Sequence, residues 1–270
     1  MKLIVMKNPK ISVVTVCYNA VAEMENTILS VVNQSYSNIE YIIIDGASSD
    51  GTVEVVNKYR SKISYFISEP DQGIYDAMNK GIKAATGDWI NFMNAGDSFY
   101  SDTVIESLVS IIDNSSSIIY GDTVLKYRMG MRLQKPDSLD SLLFKMPFGH
   151  QSVFVKTSYH KENLFDVSFR SSGDFNFFHN AFVKGIPFQY VPLIIALFFA
   201  EDGISSTNWE LAAKEDARII GIDETLEWKL KYQLRRISVK LKGIFKKYLP
   251  KHIVMKMQLK NINKVGKPLS

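Results

Sequence analysis

Three short apolar runs, each ending in polar residues, constrain the fold of this chain more than any other feature of its sequence. They are ISVVTVCYN (Ile11 to Asn19), IEYIIID (Ile39 to Asp45) and DWINFMN (Asp88 to Asn94). Such β-branched, apolar runs are typical of parallel strands that are buried on both faces. Segments with apolar residues at helical spacing, among them AEMENTILSVVNQSY and IYDAMNKGIKAATG, lie between the runs. The alternation predicts an α/β fold with a mostly parallel sheet and flanking crossover helices.

The composition is that of an ordinary soluble globular protein. Of the 270 residues, 46% are hydrophobic and 22% are charged, which is enough to bury one large core. The single cysteine, Cys17, allows no intrachain disulfide, and the first residues, MKLIVMKNPKISVV, lack the features of a secretory signal. The longest apolar run, Val191 to Ala200, has about half of the roughly 20 residues that a membrane-spanning helix needs. We therefore expect a cytoplasmic protein without a transmembrane segment.

Positive charge is concentrated in the last part of the chain. Of the 32 Lys and Arg residues, 13 lie from Lys229 onward, whereas all 28 Asp and Glu residues lie at or before Glu227. The formal net charge of +4 therefore describes neither part. This segregation predicts an acidic globular body and an appended basic segment, from Lys229 onward, that meets an anionic surface.

Polar residues at the ends of the predicted strands indicate one shared ligand site. Tyr18 and Asn19 follow the first strand, Asp45 ends the second, and Asn94 to Asp97 follow the third. In α/β sheets, ligands bind beyond the carboxyl ends of the strands. Structural roles also fit these residues, because Tyr18 can close the sheet as a half-buried aromatic and Asp45 or Asp50 can cap a helix.

Several familiar nucleotide-binding, metal-binding and hydrolase motifs are absent from the sequence. Neither a P-loop nor GxGxxG follows the first strand, which disfavours a P-loop nucleotide or a dinucleotide. The segment DGASSDG lacks the spacing and the closing Glu of an EF-hand. His160, His179 and His252 have no zinc-ligand spacing, and no GxSxG nucleophile motif occurs.

Three ordered segments carry a resemblance to a known family. ISVVTVCYN, SVVNQSYSNIEYIIIDGASSDGT and GIYDAMNKGIKAATGDWINFMNAGD resemble the successive motifs of family 2 glycosyltransferases, inverting enzymes with the A-type nucleotide-sugar fold. The likeness extends approximately from Ile11 to Ser206, which implies a catalytic domain at residues 1–206 and a helical, basic C-terminal segment at residues 207–270. It implies that Asp97 in NAGD holds a divalent metal, Mg²⁺ or Mn²⁺, on the donor diphosphate. The sequence departs from the family pattern at Asn94 and Gly96, where acidic residues are frequent.

The resemblance also assigns residues to the nucleotide-sugar donor. It implies that Tyr18 packs against the nucleotide base and that Asp45 is the first carboxylate of a base-binding Asp-Asp pair. The second position is Gly46, so that Asp50 or a backbone group is a candidate for the missing contact. Three residues in DQGIYDAMNKG are implied to lie near the donor, with a turn or an exposed helix position as the structural alternative: Asp71, Gly73 and Asn79.

The second half of the sequence is expected to supply the acceptor site and the catalytic base. An inverting transfer needs a carboxylate that takes the proton of the acceptor hydroxyl. FRSSGDFNFFHNAF resembles the segment of the family in which an acidic residue begins a helix under the acceptor, which makes Asp174 the candidate base. A plain helix cap is the alternative for Asp174, and Glu201 and Asp202 are the next candidates. His150 and Gln151, in MPFGHQSVF, are candidates for acceptor contacts.

The basic segment has the pattern of an amphipathic helix. Apolar residues recur at helical spacing among Lys and Arg at Trp228, Leu230, Leu234, Ile237, Leu241, Ile244, Phe245 and Leu249. This pattern is typical of a helix that lies on an anionic bilayer, so that we expect residues 228–260 to contact a membrane surface. A helix docked on the acidic body of the protein is the alternative. Nucleic-acid binding is disfavoured because the body is acidic and no reading motif accompanies the segment.

Together these features predict a metal-dependent inverting glycosyltransferase on the cytoplasmic face of a membrane. The expected donor is a nucleotide-diphosphate sugar, by family frequency a UDP-sugar, and the reaction a hexosyl or N-acetylhexosaminyl transfer in surface-polysaccharide biosynthesis. The expected acceptor is a lipid-linked or other surface glycan. Two alternatives remain: a nucleotide-sugar-binding protein without transfer activity, motivated by Gly46, Asn94 and Gly96, and a membrane-associated adaptor that acts through its basic tail.

Overall fold

The computed structural model describes residues 8–200, 208–248 and 267–268, with side chains as far as residue 241. Short 3₁₀ turns lie at Arg60–Lys62, Leu139–Leu143 and His150–Ser152. The helices and strands are, in chain order, β1 (Ile11–Cys17), α1 (Met24–Val32), β2 (Ile39–Asp45), α2 (Thr52–Lys58), β3 (Tyr65–Ser68), α3 (Ile74–Ala84), β4 (Trp89–Phe92), β5 (Ser98–Phe99), α4 (Val104–Val109), β6 (Ile118–Tyr127), β7 (Gly130–Gln134), β8 (Val153–Lys156), α5 (Thr157–Glu162), α6 (Gly173–Val183), β9 (Phe188–Phe199), α7 (Trp209–Ile219), α8 (Leu226–Tyr248) and β10 (Lys267–Pro268).

A mostly parallel sheet organises the molecule, which confirms the predicted α/β fold. Ile11 of β1 pairs with Ile39 of β2 on one side and with Trp89 of β4 on the other, and both ladders are parallel. β3 continues this parallel half beside β2. β5, β7 and β8 run antiparallel to the strands they pair with, whereas the other described strands share one direction.

The sheet has a packed hydrophobic layer on each face. Adjacent residues of one strand point to opposite layers, as Val13 and Val14 do, and both are fully buried. This explains why the strand sequences are continuously apolar rather than alternating. Helices α1, α2 and α4 contribute to one layer, and α3 and α6 to the other.

The reversed direction of β8 places its first residues at the edge of the sheet where the parallel strands β1, β2 and β4 end. β8 lies between β4 and β6 and is antiparallel to both. An antiparallel strand begins where its neighbours end. The turn His150–Ser152, which leads into β8, therefore lies at the same edge as the residues that follow β4.

Helix α7 packs on the body, and α8 packs on α7. The carboxylate of Glu215 accepts hydrogen bonds from the backbone of Arg170, Ser171 and Ser172, each at 2.8 Å. Tyr232 of α8 is buried against α7, where its hydroxyl donates to Glu210 at 3.2 Å. Within the described ranges no helix is both long and apolar enough to cross a membrane. The predicted division at residue 206 lies outside the described residues, as do Glu201, Asp202 and residues 249–260 of the predicted membrane-contacting segment.

Candidate active site

Tyr18, Gly46 and Asp71 meet at the ends of β1 and β2. Tyr18 is 67% exposed, so that its ring is available to a ligand. A Cβ added at Gly46 would lie 2.5 Å from Oδ2 of Asp71 and 3.3 Å from Cδ2 of Tyr18. The carboxylate of Asp71 thus lies where a side chain at position 46 would begin. An exposed aromatic ring and an acidic group thus lie side by side, which suits the binding of a nucleoside.

Asp45 and Asp50 hold the surrounding loops in place. Asp45 is fully buried, and it accepts hydrogen bonds from the Ser48 backbone at 2.9 Å and from the Ser68 hydroxyl at 2.6 Å. Asp50 accepts from the backbone of Val21 and of Thr52, each at 3.0 Å, and so fixes the loop after β1 to the start of α2. Both carboxylates thus make structural contacts within the loops that follow β1 and β2.

Gly73 and Asn79 have different surroundings. Gly73 precedes α3 with φ at 122°, a conformation that favours glycine, and its N–H donates to Asp71 at 2.8 Å. Asn79 lies further along α3, buried, and its amide pairs with the backbone of Phe165 through two bonds of 2.9 Å. The structure thus places Gly73 beside Asp71, at the edge where Tyr18 and Gly46 lie. It gives Asn79 the contacts of a residue that ties α3 to the chain before α6.

The turn after β4 presents the buried carboxyl of Asp97. The backbone N–H of Asp97 donates to the carbonyl of Asn94 at 2.9 Å, and Gly96 supplies the positive φ of 97° that this turn requires. Burial raises the pKa of Asp97 to about 7, although the charge of His150 and a hydrogen bond from Gln151 lower it. A carboxyl group that is costly to ionise in this surrounding gains from a nearby cation.

The residues of this turn fit a divalent metal that is shared with a substrate. Oδ1 of Asn94 is buried and has no hydrogen-bond partner, close to the buried carboxyl of Asp97. Carboxylate and amide oxygens are the ligands that Mg²⁺ accepts in proteins, and this ion commonly takes its remaining ligands from phosphates and water. The described part of the chain holds no group of three or more His, Cys, Asp and Glu residues that would form a metal cage by itself.

His150 connects the turn after β4 with the start of α6. Its Nδ1 lies 3.4 Å from Oδ2 of Asp174, and its Nε2 lies 3.2 Å from the amide nitrogen of Asn94. Burial disfavours the imidazolium, but the hydrogen bond to Asp174 and the charges of Asp174 and Asp97 outweigh it and raise the pKa of His150. The predicted residues Asp97, His150, Gln151 and Asp174 therefore form one cluster.

Asp174 is held by contacts from three directions. Its Oδ1 accepts from the Tyr75 hydroxyl at 3.1 Å and from the backbone of Phe175 at 2.9 Å, and Oδ2 faces His150. Burial raises the pKa of Asp174, but the hydrogen bonds and the charge of His150 more than offset this and hold the pKa below its ordinary value. Ser172, not Asp174, stands at the N-cap position of α6. Asp174 is thus an ionised carboxylate at the site.

Tyr75 and Glu215 are site residues that the sequence patterns did not indicate. Tyr75 also donates to the carbonyl of Ser171 at 2.8 Å, and Glu215 holds the segment 170–172 from the other side. Both reach the site from distant parts of the chain. The position of Tyr75, two residues after Gly73, was the one local signal for this residue, and Glu215 had no signal in the sequence.

A mostly parallel sheet thus carries an exposed aromatic ring and several carboxylates at the carboxyl ends of its strands, the arrangement of an α/β enzyme that binds its ligand at this edge. The chain belongs to glycosyl transferase family 2, because the sequence profile of that family matches residues 12–182. It is accordingly a glycosyltransferase, as predicted.

Relatives and solved structures agree with this assignment. The chain is 27% identical over 209 residues to a PGL/p-HBAD biosynthesis glycosyltransferase of Mycobacterium bovis, covering 75% of this chain and 81% of the relative. An uncharacterized glycosyltransferase of Haemophilus influenzae is 34% identical over 120 residues, which are 43% of this chain and 48% of the relative.

Two solved structures share the fold. Staphylococcus aureus TarS 1–349 in complex with UDP-GlcNAc superposes with a TM-score of 0.62 at 17% identity, over 78% of this chain and 66% of that chain. The mannosyltransferase PcManGT of Pyrobaculum calidifontis, in complex with GDP-Man and Mn²⁺, gives a TM-score of 0.61 at 14% identity, over 79% and 64% of the two chains. The chain thus spans less than two thirds of these transferases, and only 39% of the longer TarS chain.

Proposed function

We propose that this protein transfers a sugar from a UDP-sugar to a hydroxyl group of a glycan or glycolipid, with inversion at the anomeric carbon. The observation that carries the proposal is the position of His150, between Asp174 on one side and Asn94 and Asp97 on the other. A single displacement needs the leaving group and the acceptor hydroxyl on opposite faces of one sugar. Asp174, suited to the acceptor hydroxyl, and Asp97 with Asn94, suited to the leaving group, lie on the two sides of the His150 ring.

The donor binds, in this proposal, across the ends of β1 and β2. Tyr18 packs on the base, Asp71 bonds the base or the ribose, and Gly73 lies beside the phosphates. Asp45 keeps the 46–48 loop in position by accepting a hydrogen bond from the backbone of Ser48. The UDP and UDP-GlcNAc bound by the similar TarS structures support a uridine nucleotide.

Asp97, with the free Oδ1 of Asn94, would hold Mg²⁺ or Mn²⁺ on the donor diphosphate. When bound, such an ion supplies positive charge that neutralises the leaving diphosphate. The Mn²⁺ of the PcManGT complex supports this part of the proposal. The protein's own contribution is to keep the Asp97 carboxyl buried and oriented by Gln151, which contacts it.

Asp174 acts as the general base. Because its pKa is held low, the carboxylate is ionised at neutral pH and can accept the proton of the acceptor hydroxyl. Tyr75 and His150 orient it by hydrogen bonds at its two oxygens. The proton passes from the acceptor oxygen to Asp174 as that oxygen forms its bond to the sugar and the bond to the diphosphate breaks.

The base assignment is tested with Asp174→Asn, which keeps size but cannot take the proton. We expect UDP release from a panel of UDP-glucose, UDP-galactose and UDP-GlcNAc to fall by about 10²–10⁴-fold. Stabilisation by UDP against heat should be unchanged. Asp166→Asn, a neutralised carboxylate on the exposed segment before α6, is the matched control. Turnover by Asp174→Asn close to that of the control would reject the assignment.

The metal assignment is tested with Asp97→Asn. Wild-type protein should be stabilised more by UDP with Mn²⁺ than by UDP alone, because ligands that bind only the native state raise its melting temperature. Asp97→Asn should lose the increment due to Mn²⁺ and keep the shift due to UDP. Asp102→Asn, a neutralised carboxylate on the exposed segment after β5, controls for lost charge. An intact Mn²⁺ increment in Asp97→Asn would reject Asp97 as the ligand.

The exposed face of α8 supports the proposal of an anionic membrane surface as a partner. Five apolar side chains of this helix are between 49% and 73% exposed: Leu226, Leu230, Leu234, Ile237 and Leu241. Eight Lys and Arg residues and a single Glu accompany them within the helix. An apolar stripe with basic flanks suits the headgroup region of an anionic bilayer, with each basic residue contributing about 1 kcal/mol. We infer a peripheral protein on the inner, cytoplasmic face of a membrane that carries its acceptor.

Vesicle sedimentation tests this part separately. Full-length protein should pellet with vesicles of phosphatidylglycerol and phosphatidylcholine, and high salt should release it in part, since head-group attraction is screened within about 10 Å at 0.1 M ionic strength. A triple variant with Ser at Leu230, Leu234 and Leu241 should stay in the supernatant. Its control carries Ser at Leu164, an apolar residue on the body that is 41% exposed. Equal pelleting of the two variants would exclude this face as the anchor.

A further inference from the structure

A bulge in β9 lies opposite a carboxylate of β6. Tyr120 pairs with Tyr190, whereas Asp122 pairs with Ile194, so that the extra residues lie in β9. A Cβ at Gly121 would lie 2.6 Å from the carbonyl oxygen of Leu193, so that only glycine fits there. Bulges are common beside functional sites. The carboxylate is that of Asp122, whose Oδ1 accepts a hydrogen bond from the hydroxyl of Tyr190 at 2.8 Å.

Tyr190 covers this carboxylate with a ring that faces solvent. Asp122 is only 4% exposed, whereas Tyr190 is 41% exposed. The ring of Tyr190 lies 5.6 Å from that of Tyr120, which lies 4.7 Å from Phe148. Burial and the bond to Asp122 raise the pKa of Tyr190 to about 12, so that its hydroxyl stays a donor at neutral pH. The result is an aromatic surface, the exposed ring of Tyr190, which rests on buried aromatic rings and whose hydroxyl is fixed by a buried carboxylate.

The same segment is bonded to the turn that carries His150 and Gln151. The carbonyl of Asp122 accepts from the Ser152 hydroxyl at 3.1 Å, and the hydroxyls of Thr123 and Ser152 are 2.8 Å apart. The aromatic surface therefore belongs to the acceptor half of the molecule, next to the reaction site. The transfer chemistry proposed above uses neither Asp122 nor Tyr190.

We propose that Tyr190, held in place by Asp122, binds a sugar ring of the acceptor, adjacent to the sugar that receives the transferred residue. A pyranose has an apolar C–H face and a rim of hydroxyl groups. The exposed ring of Tyr190 matches the first, and its hydroxyl oxygen, which Asp122 fixes and which can still accept a hydrogen bond, matches the second. This inference rests on the proposed function in one respect, the glycan nature of the acceptor.

Saturation-transfer difference NMR with simple methyl glycosides tests the subsite directly. The probes are the methyl glycosides of glucose, galactose, mannose and N-acetylglucosamine, each with and without UDP. At least one should give a signal with wild-type protein, and Tyr190→Ala should weaken its binding by about tenfold. Tyr190→Phe should retain most of the signal because the ring remains, and Asp122→Asn should weaken it. Tyr65→Ala, which removes an equally exposed tyrosine at the β3 edge, is the control.

The outcomes separate this inference from the proposed function. If UDP stabilises all variants but no glycoside binds wild-type protein, or if Tyr190→Ala and Tyr65→Ala bind a glycoside equally, the subsite is rejected while the donor site stands. If UDP fails to bind wild-type protein, the proposed function is rejected, and the glycoside signals still decide the subsite. Unchanged circular dichroism and melting of Tyr190→Phe guard against loss of the fold as the cause.

Discussion

At the scale of single residues, Gly46 shows how a missing group is replaced from elsewhere in the chain. The family resemblance implies two adjacent carboxylates after β2, yet Gly46 carries none. The structure places Oδ2 of Asp71 where a side chain at position 46 would begin. The carboxylate of Asp45, in contrast, accepts hydrogen bonds from Ser48 and Ser68. The carboxylate near Gly46 therefore comes from another loop, through Asp71, and not from the neighbouring position in the sequence.

The substitution Gly46→Asp should damage donor binding. A Cβ there overlaps Asp71 at 2.5 Å, and the second carboxylate adds like-charge repulsion. We expect the affinity for UDP to fall at least about tenfold, a loss of roughly 1.4 kcal/mol. The double variant Gly46→Asp with Asp71→Gly should recover part of it, because the carboxylate is then moved rather than doubled. Isothermal titration with UDP measures this, and Ser49→Asp controls for added charge. Normal affinity of Gly46→Asp would contradict the overlap.

Glu40 provides a test of stability against pH away from the site. Burial opposes its ionisation, but hydrogen bonds from Ser12, Thr86 and Lys10 outweigh this and lower the pKa of Glu40 from 4.5 to about 2. A lowered folded-state pKa stabilises the protein above pH 4.5, and this stability is lost as pH falls toward 2. Its size is about 3 kcal/mol. In urea titrations, the stability gap between wild type and Glu40→Gln should therefore narrow from pH 6 to pH 3.5. A constant gap would contradict the shifted pKa.

At the scale of elements, the sequence predicts strands well where burial on both faces leaves a continuous apolar run. The apolar runs of β1, β2 and β4 predicted the positions of these strands and their parallel direction. The polar residues at the ends of the runs placed Asp45 and Asp97 at one edge of the sheet, where the structure has them. The reversed strand β8 was not predicted. Its four residues carry no sign of direction, which depends on its pairing with β4 and β6. The link between His150 and Asp174 follows from that reversal and was invisible for the same reason.

Helix α7 holds the segment before α6 through a single carboxylate. Glu215 accepts three backbone hydrogen bonds from residues 170–172, immediately before α6 and Asp174. Glu215→Gln can accept at one oxygen only and places an NH₂ group against backbone donors. We expect a loss of about 1–3 kcal/mol in the free energy of unfolding.

The same substitution should lower kcat with little change in UDP affinity, because it loosens the segment that orients Asp174. Glu210→Gln, on the same helix but bonded only to Tyr232 and Arg236 of α8, is the matched control. Kinetics of UDP release together with urea titration would measure both effects. A variant that is less stable but has an unchanged kcat would show that Glu215 supports the fold alone.

At the scale of the whole molecule, the two faces of α8 have different surroundings. Tyr232 stacks on Trp228 with ring centroids 5.0 Å apart and packs near Trp209 of α7, while Arg236 pairs with Glu210 at 3.3 Å. The opposite stripe around Leu230 and Leu234 is exposed. The sequence offered membrane contact and docking on the body as alternatives. Charge and periodicity could not distinguish membrane contact from docking, because the same amphipathic pattern is compatible with either.

Removing the chain from Lys229 onward should therefore have two effects, where a simple anchor would have one. The body should lose vesicle binding, and it should also melt earlier, because the contact made by the buried Tyr232 is lost. Burying an aromatic side chain of this kind contributes about 1.5–3 kcal/mol. Tyr232→Ala in the full chain should reproduce most of the fall in melting temperature and keep vesicle binding. The triple Ser variant at Leu230, Leu234 and Leu241 should do the reverse. Scanning fluorimetry and vesicle sedimentation on the three proteins separate the faces, and equal melting of truncated and full-length protein would show that docking on α7 adds nothing to stability.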